Sequence, residues 1–234
     1  MTSTPHAKSE AALPVIAIDG TAASGKGTLC RRLGEELHMA VLDTGKLYRL
    51  IGHKCLQNGI DPDDEAAVTQ LAESLKDHLD LDDLSDPALQ SDIAGQLASR
   101  TGRYQGVRQA LLDFQRYFAA NPPEIKDLGP AKGAILDGRD IGTVIMPDAQ
   151  CKLFVTASLE IRAQRRYKEL HSIDNSVTHG AVFEDMKARD ARDASRSSAP
   201  MIAAEDAILL DTSDMGIDEV YNKALAVIKD KLDI

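Results

Sequence analysis

The chain of 234 residues has no tryptophan, 4% aromatic residues, three cysteines and no long apolar run. Each scarcity excludes something. So few aromatic rings cannot stack successive bases along a nucleic-acid strand. Cys30, Cys55 and Cys151 are odd in number and far apart, which argues against a disulfide framework or a paired-cysteine metal site and for a reduced, intracellular chain. No stretch nears the length that crosses a bilayer, and residues 1–13 lack the apolar core of a signal peptide. The expectation is a cytoplasmic monomer: a flexible tail at 1–13, then one domain at 14–234.

Positive charge is also in deficit. The formal net charge is -10, from 27 basic and 37 acidic residues, which argues against bulk attraction to nucleic acid or to an anionic membrane. Eleven of the acids, against the single base Lys76, lie between Asp61 and Asp92, so this one stretch carries the whole excess. The rest of the chain is neutral, and any anionic ligand must be met by local positive charge.

What is present is a repeating alternation. Short apolar runs at 15–19, 40–43, 133–137, 151–156 and 207–211 have strand length and tend to end in a polar residue. Helical patterns lie between and after them, at 26–37, 47–57, 88–100, 107–119, 159–170, 183–195 and 217–231. This order predicts an α/β fold, a three-layer α/β/α arrangement on a five-stranded parallel sheet, with ligands at the carboxyl ends of the strands. The gap from Thr44 to Lys132 is longer than one crossover helix needs, so a helical insertion is expected there. Leu71, Leu75, Leu79, Leu81 and Leu84 suggest that part of its acidic middle packs.

The strongest local signal is Gly20-Thr21-Ala22-Ala23-Ser24-Gly25-Lys26-Gly27-Thr28, between the first strand and the first helix. Glycines let such a loop curl its N–H groups inward, the helix N-terminus adds partial positive charge, and Lys26 reaches the outer phosphates of a nucleotide. The general pattern has Ser or Thr directly after the lysine. Here Gly27 intervenes before Thr28, so the usual hydroxyl ligand for magnesium is absent.

Further clusters sit at the same sheet edge. They are Asp43-Thr44-Gly45-Lys46-Leu47-Tyr48-Arg49, Asp137-Gly138-Arg139-Asp140-Ile141-Gly142-Thr143, the triplet Arg162, Arg165 and Arg166, and Arg189, Arg192, Asp193 and Arg196 on one helix face. Arginines gathered beside a phosphate loop fit phosphoryl transfer between two anionic ligands, in which catalysis is mostly alignment and charge stabilisation. A phosphate acceptor is itself an anion at neutral pH and needs no general base.

These motifs, together with Val107-Arg108-Gln109-Ala110-Leu111-Leu112, make the chain from about Pro14 to its C-terminus resemble the bacterial cytidylate kinases, members of the nucleoside monophosphate kinases. Gly27 fits that resemblance, because the family carries glycine there. Thr44-Gly45 stands where many members have Ser-Gly. Within the insertion, Asp77 to Ala94 is too short and too helical in pattern for the small three-stranded sheet that many relatives build there.

The resemblance implies a P-loop kinase that moves the γ-phosphoryl group of ATP to CMP or dCMP with Mg2+. Its partners would be those nucleotides, with no nucleic acid and no membrane. It implies an acceptor-binding insertion at about 58–124 and a lid at about 160–192. Gly20 to Thr28 would hold ATP, and Lys26, Arg139, Arg162 and Arg165 would act on the migrating group. Thr44, Tyr48, Arg49, Ser99, Arg108, Arg139, Asp140, Arg189, Asp193 and Arg196 would bind the acceptor. Within that set Ser99, Arg108 and Asp140 would read cytosine, and Arg189 and Asp193 the sugar. No side chain is assigned as a direct metal ligand; Thr28 and Asp137 are candidates through water. The competing expectation is a kinase of the same fold with another acceptor, UMP, AMP or a small hydroxylated metabolite.

Overall fold

The computed structural model describes residues 13–196 and 199–234; residues 1–12 of the expected tail lie outside it. The first strand, β1 (Val15–Gly20), is buried along its whole length. Val15 and Ala17 join one apolar core, Ile16 and Ile18 another, as alternation requires of a central strand covered on both faces. After α1 (Lys26–Leu37) come β2 (Ala40–Asp43), α2 (Thr44–Gln57), α3 (Glu65–Leu75), α4 (Asp92–Thr101) and α5 (Gln105–Ala120). Then follow β3 (Ala134–Gly138), β4 (Cys151–Thr156), α6 (Leu159–His171), α7 (His179–Ala194), β5 (Ile208–Asp211) and α8 (Ile217–Leu232).

All five strands are parallel, in the order β2-β3-β1-β4-β5. The chain leaves β1 to one side for β2, then returns across β1 to form β4. The crossovers therefore diverge beyond the carboxyl ends of β1 and β3, where such sheets bind ligands. Leu29 and Leu33 of α1 with Val220 and Ala224 of α8 cover Ile16 and Ile18. On the other face Leu47 and Ile51 of α2, Val68 of α3 and Leu111 of α5 cover Val15 and Ala17. The fold is the expected three-layer α/β/α, and no helix of the described residues is long and apolar enough to cross a membrane.

The segment between β2 and β3 departs from expectation in detail. The helix expected over 88–100 is two pieces: a 3-10 turn (Pro87–Gln90), then α4, which starts where Ser91 Oγ accepts from Ala94 N at 3.2 Å. A serine in the middle of a helical pattern is here a cap. The acidic stretch also forms α3, a lightly charged helix flanked on both sides by acids; Asp64 caps it by accepting from Ala67 N at 3.0 Å, and Val68 and Ala72 are buried. The last helix before β5 starts at His179 rather than 183, capped by Thr178.

β1 runs straight into the loop because Gly20 lies against β4. A Cβ there would stand 1.8 Å from Val155 O, whereas one at Gly25 would meet nothing within 4 Å and would suffer only from the backbone φ of 93°. Urea unfolding is therefore expected to separate the two. Gly25→Ala should cost about 1–2 kcal/mol, and Gly20→Ala several-fold more or prevent folding. Equal costs would contradict this packing.

Candidate active site

The loop after β1 is held by its own backbone. Thr21 N donates to Val155 O at 3.2 Å, and Ser24 Oγ and Lys26 Nζ both donate to Thr21 O, at 2.9 and 2.8 Å. Gly25 caps α1 with no side chain, and the first turn has no acid, so its amides stay available to an anion. A cleft of about 610 Å3 opens above it, lined by Ala23, Ser24, Gly25, Lys26, Gly27 and Thr28. Gly20, Thr21 and Ala22, also expected at the phosphates, do not line this cleft.

Lys26 is 5% exposed and its Nζ is 3.9 Å from Asp137 Oδ1. Burial, helped by Arg139, pulls the Lys26 ammonium down to about 8 against the attraction of Asp137. Burial likewise pushes the Asp137 carboxyl up to about 6 against the attraction of Lys26. A Cβ at Gly27 would lie 3.9 Å from Asp137 Oδ2, so no side chain stands between that carboxylate and the loop.

Opposite the loop, one carboxylate collects the arginines. Asp193 of α7 is 2% exposed. Arg196 Nη2 lies 2.5 Å from its Oδ1, and Arg139 Nε and Arg189 Nε lie 3.7 and 3.9 Å from its Oδ2. Burial and the neighbouring Arg139 pull Arg189 down to about 10. The Nε atoms of Arg139, Arg189 and Arg196 are buried without a hydrogen-bond partner, which marks a site short of acceptors. Arg49 faces the same cleft from α2, its Nη1 tied to Leu89 O at 2.8 Å and Ser91 O at 2.9 Å.

The far end of the cleft is built from α2, α4, α5 and the end of β3. Thr44 Oγ1 donates to Asp137 O at 2.8 Å, which ties the start of α2 to β3. Arg108 forms an ion pair with Asp140 Oδ2, donates to Gly102 O at 3.2 Å and lies 5.4 Å from the centre of the Tyr48 ring. Ser99 is buried and its Oγ accepts from Arg192 Nη1 at 3.0 Å. Arg192 is not among the expected binding residues; it lines a second cavity, and its place beside Arg189 and Asp193 on α7 is the signal for it, whereas Arg196, expected on the same helix face, lies just past the end of α7.

The three arginines of α6 part company. Arg165 faces the cleft and donates to Thr212 Oγ1 at 3.0 Å and Thr212 O at 2.8 Å, while Thr212 Oγ1 reaches Ser24 O at 3.2 Å. Arg162, expected to act on the migrating group, is instead enclosed. It is 4% exposed, pairs with Asp190 at 2.6 Å, and donates to Ala157 O and Ala22 O at 2.8 and 3.3 Å. Its guanidinium is a strut between α7 and the loop, because the carbonyls and carboxylate there satisfy its donors. Arg166 reaches Asp92 of α4 at 3.0 Å, beside a second cavity of about 560 Å3 between α4 and the α6–α7 pair.

Comparison with known proteins follows the same lines. Residues 16–230 match the family model described as Cytidylate kinase. A cytidylate kinase of Paramagnetospirillum magneticum is 52% identical over 217 residues, 93% of this chain and 98% of the relative. One of Rhodospirillum rubrum is 50% identical over the same shares. An uncharacterised protein from Eubacterium ventriosum is similar in fold alone, with a TM-score of 0.50 at 13% identity, covering 92% of this chain and 98% of the other.

Asp193 supplies a testable energetic claim. Removing the carboxylate in Asp193→Ala leaves Arg139, Arg189 and Arg196 facing one another, and breaking a buried pair in this way costs about 3–5 kcal/mol. Urea unfolding is expected to register that loss, and millimolar inorganic phosphate to recover part of it. A loss under 1 kcal/mol would mean that solvent already screens the cluster.

Proposed function

The chain belongs to the cytidylate kinase family, and from that premise we propose that it transfers the γ-phosphoryl group of ATP to CMP or dCMP, giving ADP and CDP or dCDP. The observation that carries the reading is one cleft with a phosphate loop at one side, an under-neutralised arginine cluster at the other, and the Arg108–Asp140–Ser99 group beyond it. ATP phosphates lie on the amides of Ser24 to Thr28, with Lys26 released from Thr21 O toward the outer phosphates. Arg49, Arg139 and Arg196 grip the acceptor phosphate, and Arg189 and Asp193 meet the ribose. The acceptor phosphate, with a second pKa of about 6, attacks as an anion, so no residue has to remove a proton. Arg165 approaches the migrating group from α6, while Arg162 holds the loop and α7 together.

Base selection follows from hydrogen-bond polarity. Arg108 engages Oδ2 of Asp140, which leaves the other carboxylate oxygen to accept from the exocyclic amine of cytosine. Uracil offers a carbonyl at that position and would leave the carboxylate facing an acceptor. Ser99 and Tyr48 border the same pocket. The helices between β2 and β3, about 58–124, form the acceptor-binding insertion, and about 160–192 the lid over the donor.

Mg2+ fits beside the loop. Thr28 at the cleft and Asp137, unshielded at Gly27, would hold it through water, and it would offset the charge of the triphosphate. The cleft is complete within one chain, which supports a monomer. Unpaired, buried Cys30, Cys55 and Cys151 support a cytoplasmic setting.

With ATP and Mg2+, the purified protein is expected to phosphorylate CMP and dCMP far faster than UMP or AMP. In Asp140→Ala the CMP preference should shrink by about tenfold or more. Equal rates for UMP and CMP in the unmodified chain would sink the cytosine reading.

Lys26 should also leave a pH signature. It is charged below about 8 and neutral above, so in the free enzyme the charge that ATP needs disappears as pH rises. The value of kcat/KM for ATP should then fall about tenfold per pH unit above that point. Lys26→Arg, which stays charged, should flatten this alkaline limb, and Lys26→Ala should lose roughly 100-fold or more at pH 7. A profile of the unmodified chain that stays level to pH 10 would contradict the role.

A further inference from the structure

This mechanism leaves one buried carboxylate, next to the phosphate loop, without a task. Asp19 stands in β1 directly before Gly20 and is 4% exposed. Both of its oxygens are committed to another segment: Oδ1 accepts from Ile141 N at 2.7 Å and Oδ2 from Gly142 N at 2.8 Å. These amides open the short π-type turn Ile141–Ile145, whose own cap residue, Asp140, makes no capping bond with its side chain. A carboxylate from a neighbouring strand supplies the cap that the local sequence omits.

The consequence falls on the two residues just before the turn. In the sheet Asp19 is level with Gly138, so Arg139 and Asp140 are held from both ends, by the β1–β3 ladder at Gly138 and by the Asp19 carboxylate at Ile141 and Gly142. Those two residues point to opposite tasks, Arg139 toward Asp193 and Asp140 toward Arg108. Gly142 keeps room for the clamp: a Cβ there would lie 3.4 Å from Asp19 Oδ2 and 3.1 Å from Cδ of Lys152, whose ammonium pairs with Asp206.

Such a clamp is costly. Burial pushes the Asp19 carboxyl up to about 6, the two amides pull it back, Asp140 adds repulsion and Lys26 attraction. A neutral residue would fill the same space more cheaply.

We infer that Asp19 is a positioning residue for the acceptor: it locks the Arg139–Asp140 turn in register with the phosphate loop, and so aligns the acceptor phosphate and base with the donor. This rests on the phosphoryl-transfer reading above. A purely structural cap would lower stability and disturb both nucleotides alike. A positioning clamp acts on the acceptor and on discrimination between bases.

The test compares Asp19→Asn and Gly142→Ala with the unmodified chain, measuring KM for CMP and for ATP, the CMP to UMP ratio of kcat/KM, and Tm. Asn keeps the volume but loses the charge and one acceptor. KM for CMP is expected to rise about tenfold and the ratio to fall about tenfold, with KM for ATP within about twofold. Gly142→Ala retains the carboxylate while crowding its amide, so it should move the same two values by a smaller factor, and it decides the matter alone if Asp19→Asn does not fold. Unchanged CMP values, or CMP and ATP values rising together, would overturn the proposal. Absence of CMP turnover in the unmodified chain would overturn the functional reading and this proposal with it, whereas turnover with unresponsive variants overturns the proposal alone.

Discussion

The acceptor side of the cleft depends on one buried carboxylate, Asp193, surrounded by more positive charge than it can neutralise. Two unit charges about 4 Å apart repel by about 4 kcal/mol at the effective dielectric of a protein edge. Arg139, Arg189 and Arg196 therefore could not share this space without Asp193 between them. One negative charge against three positive leaves a surplus, and the partnerless Nε atoms record it in hydrogen-bond terms. The site is stable enough to form and incomplete enough to take an anion. A second carboxylate in the cluster would have made the protein more stable and the cleft less useful.

Asp193 can organise these arginines only because α7 is itself pinned. Arg162 ties it through Asp190 to α6 and to the carbonyl of Ala22 in the loop. Arg192 ties it to Ser99 of α4, and Arg166 of α6 reaches Asp92 at the start of the same helix. The α6–α7 pair thus contacts both the loop side and the far side of the cleft, through groups separated by 74 to 140 residues in sequence. A movement of this pair would shift Asp193 together with Arg189 and Arg196, and would change its distance from Arg139 at the end of β3.

These long separations explain what was legible in the chain and what was not. The loop was legible because its chemistry is local: glycines, a lysine and a helix start within nine residues. The strands were legible because a buried parallel strand is a short apolar run, and the bounds shift by no more than one residue. Arg189 and Arg196 lie four and three residues from Asp193, so their pairing was visible as helical spacing. Arg139, the third cation, approaches from β3 and leaves no mark near α7. Arg162 read as a cleft arginine because its neighbours Arg165 and Arg166 share its helix; its partners, Asp190 and two carbonyls, are remote. Asp19 read only as the polar end of a strand, since the amides it caps are 122 and 123 residues away. Helix α3 was hidden by its surroundings: it holds only two acids, Glu65 and Glu73, but lies between the acid-rich runs 61–64 and 77–92, while Val68 and Ala72 decide its fold.

The same division between face and core settles what the net charge of -10 means. None of the eleven acids between Asp61 and Asp92 lines the main cleft. Asp63 is spent on Arg100 and Arg103, and Asp92 on Arg166, all beside the second cavity. The field of the others is screened over about 8 Å at physiological ionic strength, so they repel a nucleotide only weakly once it has entered. Nine basic side chains line the cleft, Lys26, Arg31, Arg32, Arg49, Arg108, Arg139, Arg165, Arg189 and Arg196, against five acidic ones, Asp43, Asp137, Asp140, Glu169 and Asp193, a local surplus in a chain that is acidic as a whole. A ligand's charge is met by the groups within a few ångströms of it, and here those groups are cationic although the surface is not.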